Sequence, residues 1–263
     1  MPLTEDVIAS PEGARQSRVS PPAWSLTGLP QSLRSFAMTR LNAARPTYLD
    51  FAPPLINNSP MDAMHDKKTL RAEVIARRNA AGPDDGAGLL RQFERSVLPL
   101  LDHQKYTNIS AYWPMDGEAD VRPVMRLLER RGFRIGLPEV MAKGKPLVFR
   151  PWHTGMEMEA RIWGIPVPKS DEHLIPHAML VPLVAFDARG YRLGYGGGFY
   201  DRSIEHLTKH HHKPLLIGVA RACQQVEAVP HERWDERLDL VVTEEGCMRF
   251  GLPSQEHAVE QGA

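Results

Sequence analysis

AMLVPLVAFDARGYRLGYGGGFYDRSIEHLTK, residues 178–209, decides the fold because it joins three kinds of sequence in one run. AMLVPLVAFD, 178–187, is almost continuously apolar, as a strand buried on both faces of a parallel sheet should be. From about Phe199 to Lys209 the spacing of Tyr200, Ile204 and Leu207 gives one apolar helical face. Between them, RLGYGGGFYDR (192–202) sets four glycines within the five positions 194–198. The dinucleotide pattern G-x-G-x-x-G fails because position 199 is Phe199, and no Gly-Lys-Ser/Thr triplet completes a P-loop. Glycine admits positive φ and brings backbone amides close to a ligand. A helix N-terminus adds partial positive charge. Together they suit an anion, most naturally phosphate. Arg192 and Arg202 can grip phosphate oxygens bidentately, and Asp201 can hold Mg²⁺ whose other positions phosphate fills. The plainer reading is a turn in which Tyr195, Phe199 and Tyr200 only pack.

The same strand–loop–helix rhythm occurs upstream. TNISAYW (107–113) reads as a strand and PMDGEA (114–119) as its loop. Asp120 is placed to cap a helix running to Arg131, with Val121, Val124, Met125 and Leu128 on its apolar side. FRIGLPEV (133–140) is the next strand, followed by an irregular antiparallel insert, PLVFRPW (146–152) and EARIWGIPVPK (159–169). KPLLIGVA (213–220) and LDLVVTEEG (238–246) supply two more strands. The fold class is therefore α/β, a three-layer α/β/α domain with a mostly parallel central sheet, over residues 61–250. Residues 1–60, rich in proline, read as an irregular N-terminal extension with one short helix at 30–41, and 251–263 as a tail. A helix is expected from Asp66 to a Gly82-Pro83 stop, packing Leu70, Val74 and Ile75, and a second over 88–101. On the first, Lys67 and Arg71 lie four apart and share a face, which alone reads as solvated. In open parallel sheets ligands sit beyond the carboxyl ends of strands. Both PMDGEA and the glycine loop leave such an end, which puts them on one rim.

Thirty-two basic and 32 acidic residues give a formal charge of zero, which argues against nucleic acid or an anionic membrane as partner. Two cysteines, Cys223 and Cys247, are too few for a disulfide framework. No apolar run approaches the roughly 20 residues of a membrane helix. Glu5, Asp6 and Glu12 break the pattern of a targeting segment. A cytoplasmic protein, monomeric or weakly dimeric, is expected. In HLTKHHHK (206–213), His206 and His210 share a helix face, but the run itself holds no acidic or thiol residue, so it reads as a solvated helix end rather than a metal site.

LVPLVAFDARGYRLGYGGGFYDR (180–202) closely resembles the active-site core of the 5-formyltetrahydrofolate cyclo-ligase (methenyltetrahydrofolate synthetase) family, where such a strand is followed by R-L-G-x-G-x-G-[FY]-Y-D. KKTLR (67–71), YWPMDGEADV (112–121), GIPVPK (164–169) and VPHERWDERLDLVVTEEG (229–246) resemble the family's other segments in the right order, so the likeness spans about residues 64–246. It implies an enzyme that uses ATP and Mg²⁺ to close 5-formyltetrahydrofolate to 5,10-methenyltetrahydrofolate. It further implies that Lys67, Arg71 and the run Arg192, Leu193, Gly194, Tyr195, Gly196, Gly197, Gly198, Phe199 and Tyr200 bind ATP. Glu118 and Tyr195 to Phe199 would face the folate, with Arg192 and Tyr200 as the catalytic pair; Trp113, just before Glu118, is placed either to wall the folate or equally to pack in the core. Asp201 would ligate Mg²⁺ with Asp235 or Asp239, of which Asp235, following Trp234, aligns more simply. The chain departs from common members at Val121, Val167, Leu183 and Gly197. A second reading is a non-catalytic relative that binds reduced folate or nucleotide and regulates a partner, but such a module has no need of metal-holding carboxylates. Sugar-phosphate isomerases and CoA transferases have similar three-layer domains, and fold alone does not fix function.

Overall fold

The computed structural model describes residues 60–251 except 116, 233 and 234, so the expected helix at 30–41 lies outside the described residues. Four helices, α1 (Pro60–Ala80), α2 (Ala87–Ser96), α3 (Arg122–Arg130) and α4 (Phe199–His210), accompany eleven strands among these residues. The strands are β1 (Asn108–Ser110), β2 (Arg134–Glu139), β3 (Val148–Trp152), β4 (Met158–Ala160), β5 (Pro166–Pro168) and β6 (Ala178–Pro182). They continue as β7 (Ala185–Phe186), β8 (Arg192–Leu193), β9 (Leu215–Val219), β10 (Leu240–Val242) and β11 (Cys247–Arg249). Seven of them form one sheet in the order β11-β10-β9-β6-β1-β2-β3. The five inner strands are parallel, and β11 and β3 close the two edges antiparallel.

Side chains alternate across a strand, and β6 shows the consequence. Ala178 and Leu180 join a core cluster with Leu89 and Phe93 of α2 and Val124, Met125 and Leu128 of α3. Met179 and Val181 point the other way, into a cluster with Ile204 and Leu207 of α4. Three layers follow. Leu180 is fully buried at the middle of this arrangement, so Leu180→Ala should cost about 2–5 kcal/mol. α1 lies in a third cluster, Val74 with Val184, Ala185, Leu193 and Val229.

Several expected boundaries shift for identifiable reasons. α1 begins at Pro60 rather than Asp66, since proline suits a first helical turn where no amide partner is needed. α2 stops at Ser96, because Pro99 lacks the amide that would continue it, and Leu98–Leu100 forms a 3₁₀ turn instead. α3 is capped at Val121. Asp120 stands one residue earlier and accepts the Arg122 amide at 3.0 Å. The apolar run 178–187 is not one strand. β6 ends at Pro182, and the chain then leaves the sheet as β7, which pairs with β8 in a separate antiparallel ribbon. The side-chain amide of Gln224 donates to the carbonyls of Leu183 (2.7 Å) and Val184 (3.0 Å), satisfying the departing backbone. The glycine loop therefore follows this ribbon, not the carboxyl end of a parallel strand. The last predicted strand is shorter than 238–246, and β11, beyond the Thr243–Gly246 turn, was not expected.

Candidate active site

The β7–β8 ribbon aims the glycine loop. Asp187, fully buried, receives the amides of Arg189 (2.9 Å), Tyr191 (3.1 Å) and Val229 (3.0 Å) and the Arg189 guanidinium. Burial alone pushes this carboxyl up, but the Val229 amide and the other donors outweigh it and hold it below the usual aspartate range. The hairpin turn is thus pinned by one ion, and β8 follows in fixed direction.

Within the loop, Gly196 (φ +92°) and Gly198 (φ +63°) occupy the left-handed region that other residues enter only at a cost. Gly198 is the N-cap of α4, and a Cβ there would lie 2.7 Å from a guanidinium nitrogen of Arg202. Two arginines hold the loop by its carbonyls. Arg71 donates to Gly194 O at 2.7 Å and Arg202 to Gly197 O at 2.6 Å. Across a planar trans peptide the N–H points opposite to the C=O. Fixing these two carbonyls therefore turns the amides of Tyr195 and Gly198 away from the arginines, as an anion nest requires.

Charged side chains gather around the loop in two groups. On one side, Lys67 reaches Asp235 at 3.2 Å and Glu232 at 3.3 Å. Arg192, whose side chain is 6% exposed, donates to the Glu236 carbonyl at 2.5 Å and pairs with Asp201, which is 42% exposed. On the other side, Tyr195 donates to the buried Glu118 carboxylate at 2.6 Å, closing a separation of 77 residues. The second Glu118 oxygen accepts the Met115 amide at 2.8 Å. Burial raises the Glu118 carboxyl above its ordinary value, more than Tyr195, the Met115 amide and the Arg78 charge lower it. Tyr200 places its hydroxyl in the interior without a hydrogen-bond partner among the described residues. Burial pushes that phenol up, the Glu118 charge adds to it and Arg192 opposes it. A buried orphan hydroxyl of this kind calls for a partner from a ligand or water.

Most of the expected site residues are thus brought together. Trp113, partly buried, packs against the first core cluster with the Arg122 guanidinium 5.8 Å from its ring. Asp239 accepts the Leu216 amide at 2.8 Å and so ties β9 to the segment before β10, whereas Asp235 faces Lys67. Sequence reasoning missed Arg78. It lies eleven residues after Lys67 and seven after Arg71, the spacing of one helical face, and donates to Tyr195 Oη at 2.8 Å.

Asp201 and Asp235 form no cluster of three or more metal-ligating side chains among the described residues. That set does not fit a cage built from protein alone. Asp201 is paired with Arg192 and Asp235 with Lys67, and Mg²⁺ is an ion that commonly takes only one or two carboxylates, with phosphate oxygens and water completing its shell.

A family model described as the 5-formyltetrahydrofolate cyclo-ligase family matches residues 63–244. The 5-formyltetrahydrofolate cyclo-ligase of Escherichia coli (strain K12) is 34% identical over 177 residues, covering 65% of this chain and 96% of that protein. The Haemophilus influenzae protein of the same name is 35% identical over 162 residues, 57% of this chain and 86% of its own. Among solved structures, the NMR structure of Aquifex aeolicus 5,10-methenyltetrahydrofolate synthetase superposes with a TM-score of 0.58 at 26% identity, over 74% of this chain and 99% of that one. The Mycoplasma pneumoniae synthetase, at 24% identity and TM-score 0.52 over 68% and 99%, supports the fold. The chain belongs to the 5-formyltetrahydrofolate cyclo-ligase family and is an enzyme of it.

Proposed function

We propose that this enzyme uses ATP and Mg²⁺ to cyclise 5-formyltetrahydrofolate to 5,10-methenyltetrahydrofolate, releasing ADP and phosphate. The observation that carries the reading is the glycine loop's position between two unlike chemistries. Its Gly194 carbonyl is held by Arg71 on a cationic side, and its Tyr195 hydroxyl lies on the buried Glu118 carboxylate.

The formyl oxygen is amide-like and leaves poorly. Transfer of the γ-phosphoryl group to it makes a phosphorylated iminium carbon that N10 of the same folate attacks; N10 gives up its proton to solvent and phosphate departs. Such chemistry is mainly positioning and neutralisation of phosphate charge. Lys67, Arg71 and the loop from Arg192 to Tyr200 would bind the triphosphate. The amides of Tyr195 and Gly198 would meet its oxygens, and Arg192 would stabilise charge on the group in transfer. Asp201 and Asp235 would hold Mg²⁺, which when bound neutralises phosphate oxygens. Glu118 would accept the paired N–H donors of the pterin. The Tyr200 hydroxyl would donate to the reacting end, and Tyr195 to Phe199 would form the wall between the two substrates. A reducing cytoplasmic setting suits two half-buried free thiols. No described helix is long and apolar enough to cross a membrane.

The test is spectrophotometric. Purified protein with Mg-ATP and 5-formyltetrahydrofolate should generate the near-ultraviolet absorbance of the methenyl product. The signal should vanish without ATP and fall sharply in Asp201→Ala. A flat trace from folded wild-type protein would overturn the proposal.

A further inference from the structure

Arg78 is the residue in this region whose chemistry the proposed reaction leaves unused. It is 4% exposed, unlike its helical neighbour Arg77. Burying a guanidinium is costly unless its donors are well met. The C-terminal end of α1 is built to keep it there. The Arg221 guanidinium caps the helix by donating to the carbonyls of Arg78 (3.3 Å), Ala81 (3.1 Å) and Gly82 (2.7 Å). The PMDGEA loop closes over the Arg78 side chain at Gly117, where a Cβ would lie 3.2 Å from Arg78 Nε and 2.7 Å from Asn79 Oδ1. Arg78 donates to Tyr195 Oη (2.8 Å), Tyr195 donates to Glu118 Oε1 (2.6 Å), and the Tyr195 ring lies 6.0 Å from the Arg78 guanidinium carbon.

From this chain of contacts we infer that Arg78 is a positioning residue. It would act through Tyr195 to hold the phenol against Glu118 and keep that carboxylate ready for the folate. An accepting oxygen that already receives a guanidinium proton must direct its own proton elsewhere, and Glu118 lies at hydrogen-bonding distance. Arg78 thereby fixes the sense of the Tyr195–Glu118 bond and the rotamer of a side chain that is otherwise 44% exposed. The groups facing Glu118 are Tyr195 from the loop, Arg78 from α1, Tyr112 from its own segment and Tyr200 from α4. Arg78 is the cation among them.

The inference rests on Glu118 being the folate-binding carboxylate, and the experiment separates the two. Steady-state constants for folate and for ATP would be measured across pH for Arg78→Met, Arg78→Lys, Tyr195→Phe, the corresponding double variants and Glu118→Gln. In Arg78→Met the folate KM should rise about 10- to 100-fold, the cost of one charged hydrogen bond, while the ATP KM stays within about twofold. The acid limb of folate kcat/KM should move to higher pH, because the positive charge that favours ionised Glu118 is gone. Arg78→Lys should recover the pH profile more than the KM. Arg78 and Tyr195 changes should be strongly non-additive. Should Arg78→Met fail to fold, the cycle is run with Arg78→Lys. Additive effects, or equal losses for folate and ATP with an unmoved pH profile, would overturn the inference. If Glu118→Gln leaves the folate KM unchanged, the folate assignment of Glu118 fails as well.

Discussion

Replacing Asp187 by asparagine tests whether one buried ion sets the glycine loop. Asp187 Oδ1 receives the amides of Arg189 and Tyr191, and the asparagine side chain would keep an oxygen there. Oδ2 receives the Val229 amide at 3.0 Å and the Arg189 Nε and terminal nitrogen at 3.0 and 2.6 Å. An amide NH₂ would present hydrogens to all three. Leaving the buried Val229 amide unpaired costs about 1–3 kcal/mol. The half-exposed Arg189 adds at most about 1 kcal/mol. The sum is about 1–4 kcal/mol, or a Tm lower by about 2–16 °C for a domain of this size. The folded-state carboxyl titrates below its ordinary value. Its contribution is therefore complete above the unfolded pKa of about 3.9 and is lost as pH falls through the lower folded value. The gap between wild type and Asp187→Asn should be widest at neutral pH and shrink below about pH 4. Thermal unfolding followed by circular dichroism from pH 7 to pH 3 reads both. Equal Tm values at pH 7, or a gap that does not narrow on acidification, would refute the reasoning. Because Tyr191 precedes Arg192 directly, the ATP KM should also rise.

Asp201→Ala should lower kcat by about 100-fold or more and weaken the dependence on Mg²⁺. Its Tm should fall by no more than a few degrees, since Asp201 is partly exposed and the buried Arg192 guanidinium keeps its bond to the Glu236 carbonyl; scanning calorimetry beside a metal titration checks both. Gly198→Ala forces a side chain into φ +63° against Arg202. It should cost about 1–2 kcal/mol and raise the ATP KM more than the folate KM. Lys67→Met removes the cation facing Asp235. It should leave stability within about 1 kcal/mol while the ATP KM rises about tenfold, the value of one charged contact.

The glycine loop was legible because backbone at positive φ leaves a mark on residue choice, as at Gly196 and Gly198. Lys67 and Arg71 stood out through the family resemblance of KKTLR, since their spacing alone reads as a solvated face. Arg78 follows Arg77 in sequence, and only the helical phase set by Lys67 and Arg71 tells which of the two turns inward. The break after Pro182 was hidden because Leu183, Val184, Ala185 and Phe186 are all buried. Periodicity carries no signal where both faces of a segment are covered. β11 was hidden for the opposite reason, being three partly exposed residues of little strand character. Trp113 stood open between a wall for the folate and a place in the core, and its partly buried ring does pack against the core. Which side of a short strand faces a site depends on register, which three residues do not reveal.

The five parallel strands also have a consequence for how this protein can change. Parallel order sends the loops that follow the strands to one end of the sheet, while the helices return to the other. Glu118 lies in the loop after β1 at the first end, and the Tyr195 hydroxyl reaches it there from the separate β7–β8 ribbon. The turn from α3 into β2, with Arg131 and Gly132 exposed to solvent, belongs to the second. An affinity tag, a reporter or a whole domain inserted at that turn would add mass without touching the chemistry. Among the described residues, that turn is therefore where the protein can be tethered away from Glu118 and Tyr195.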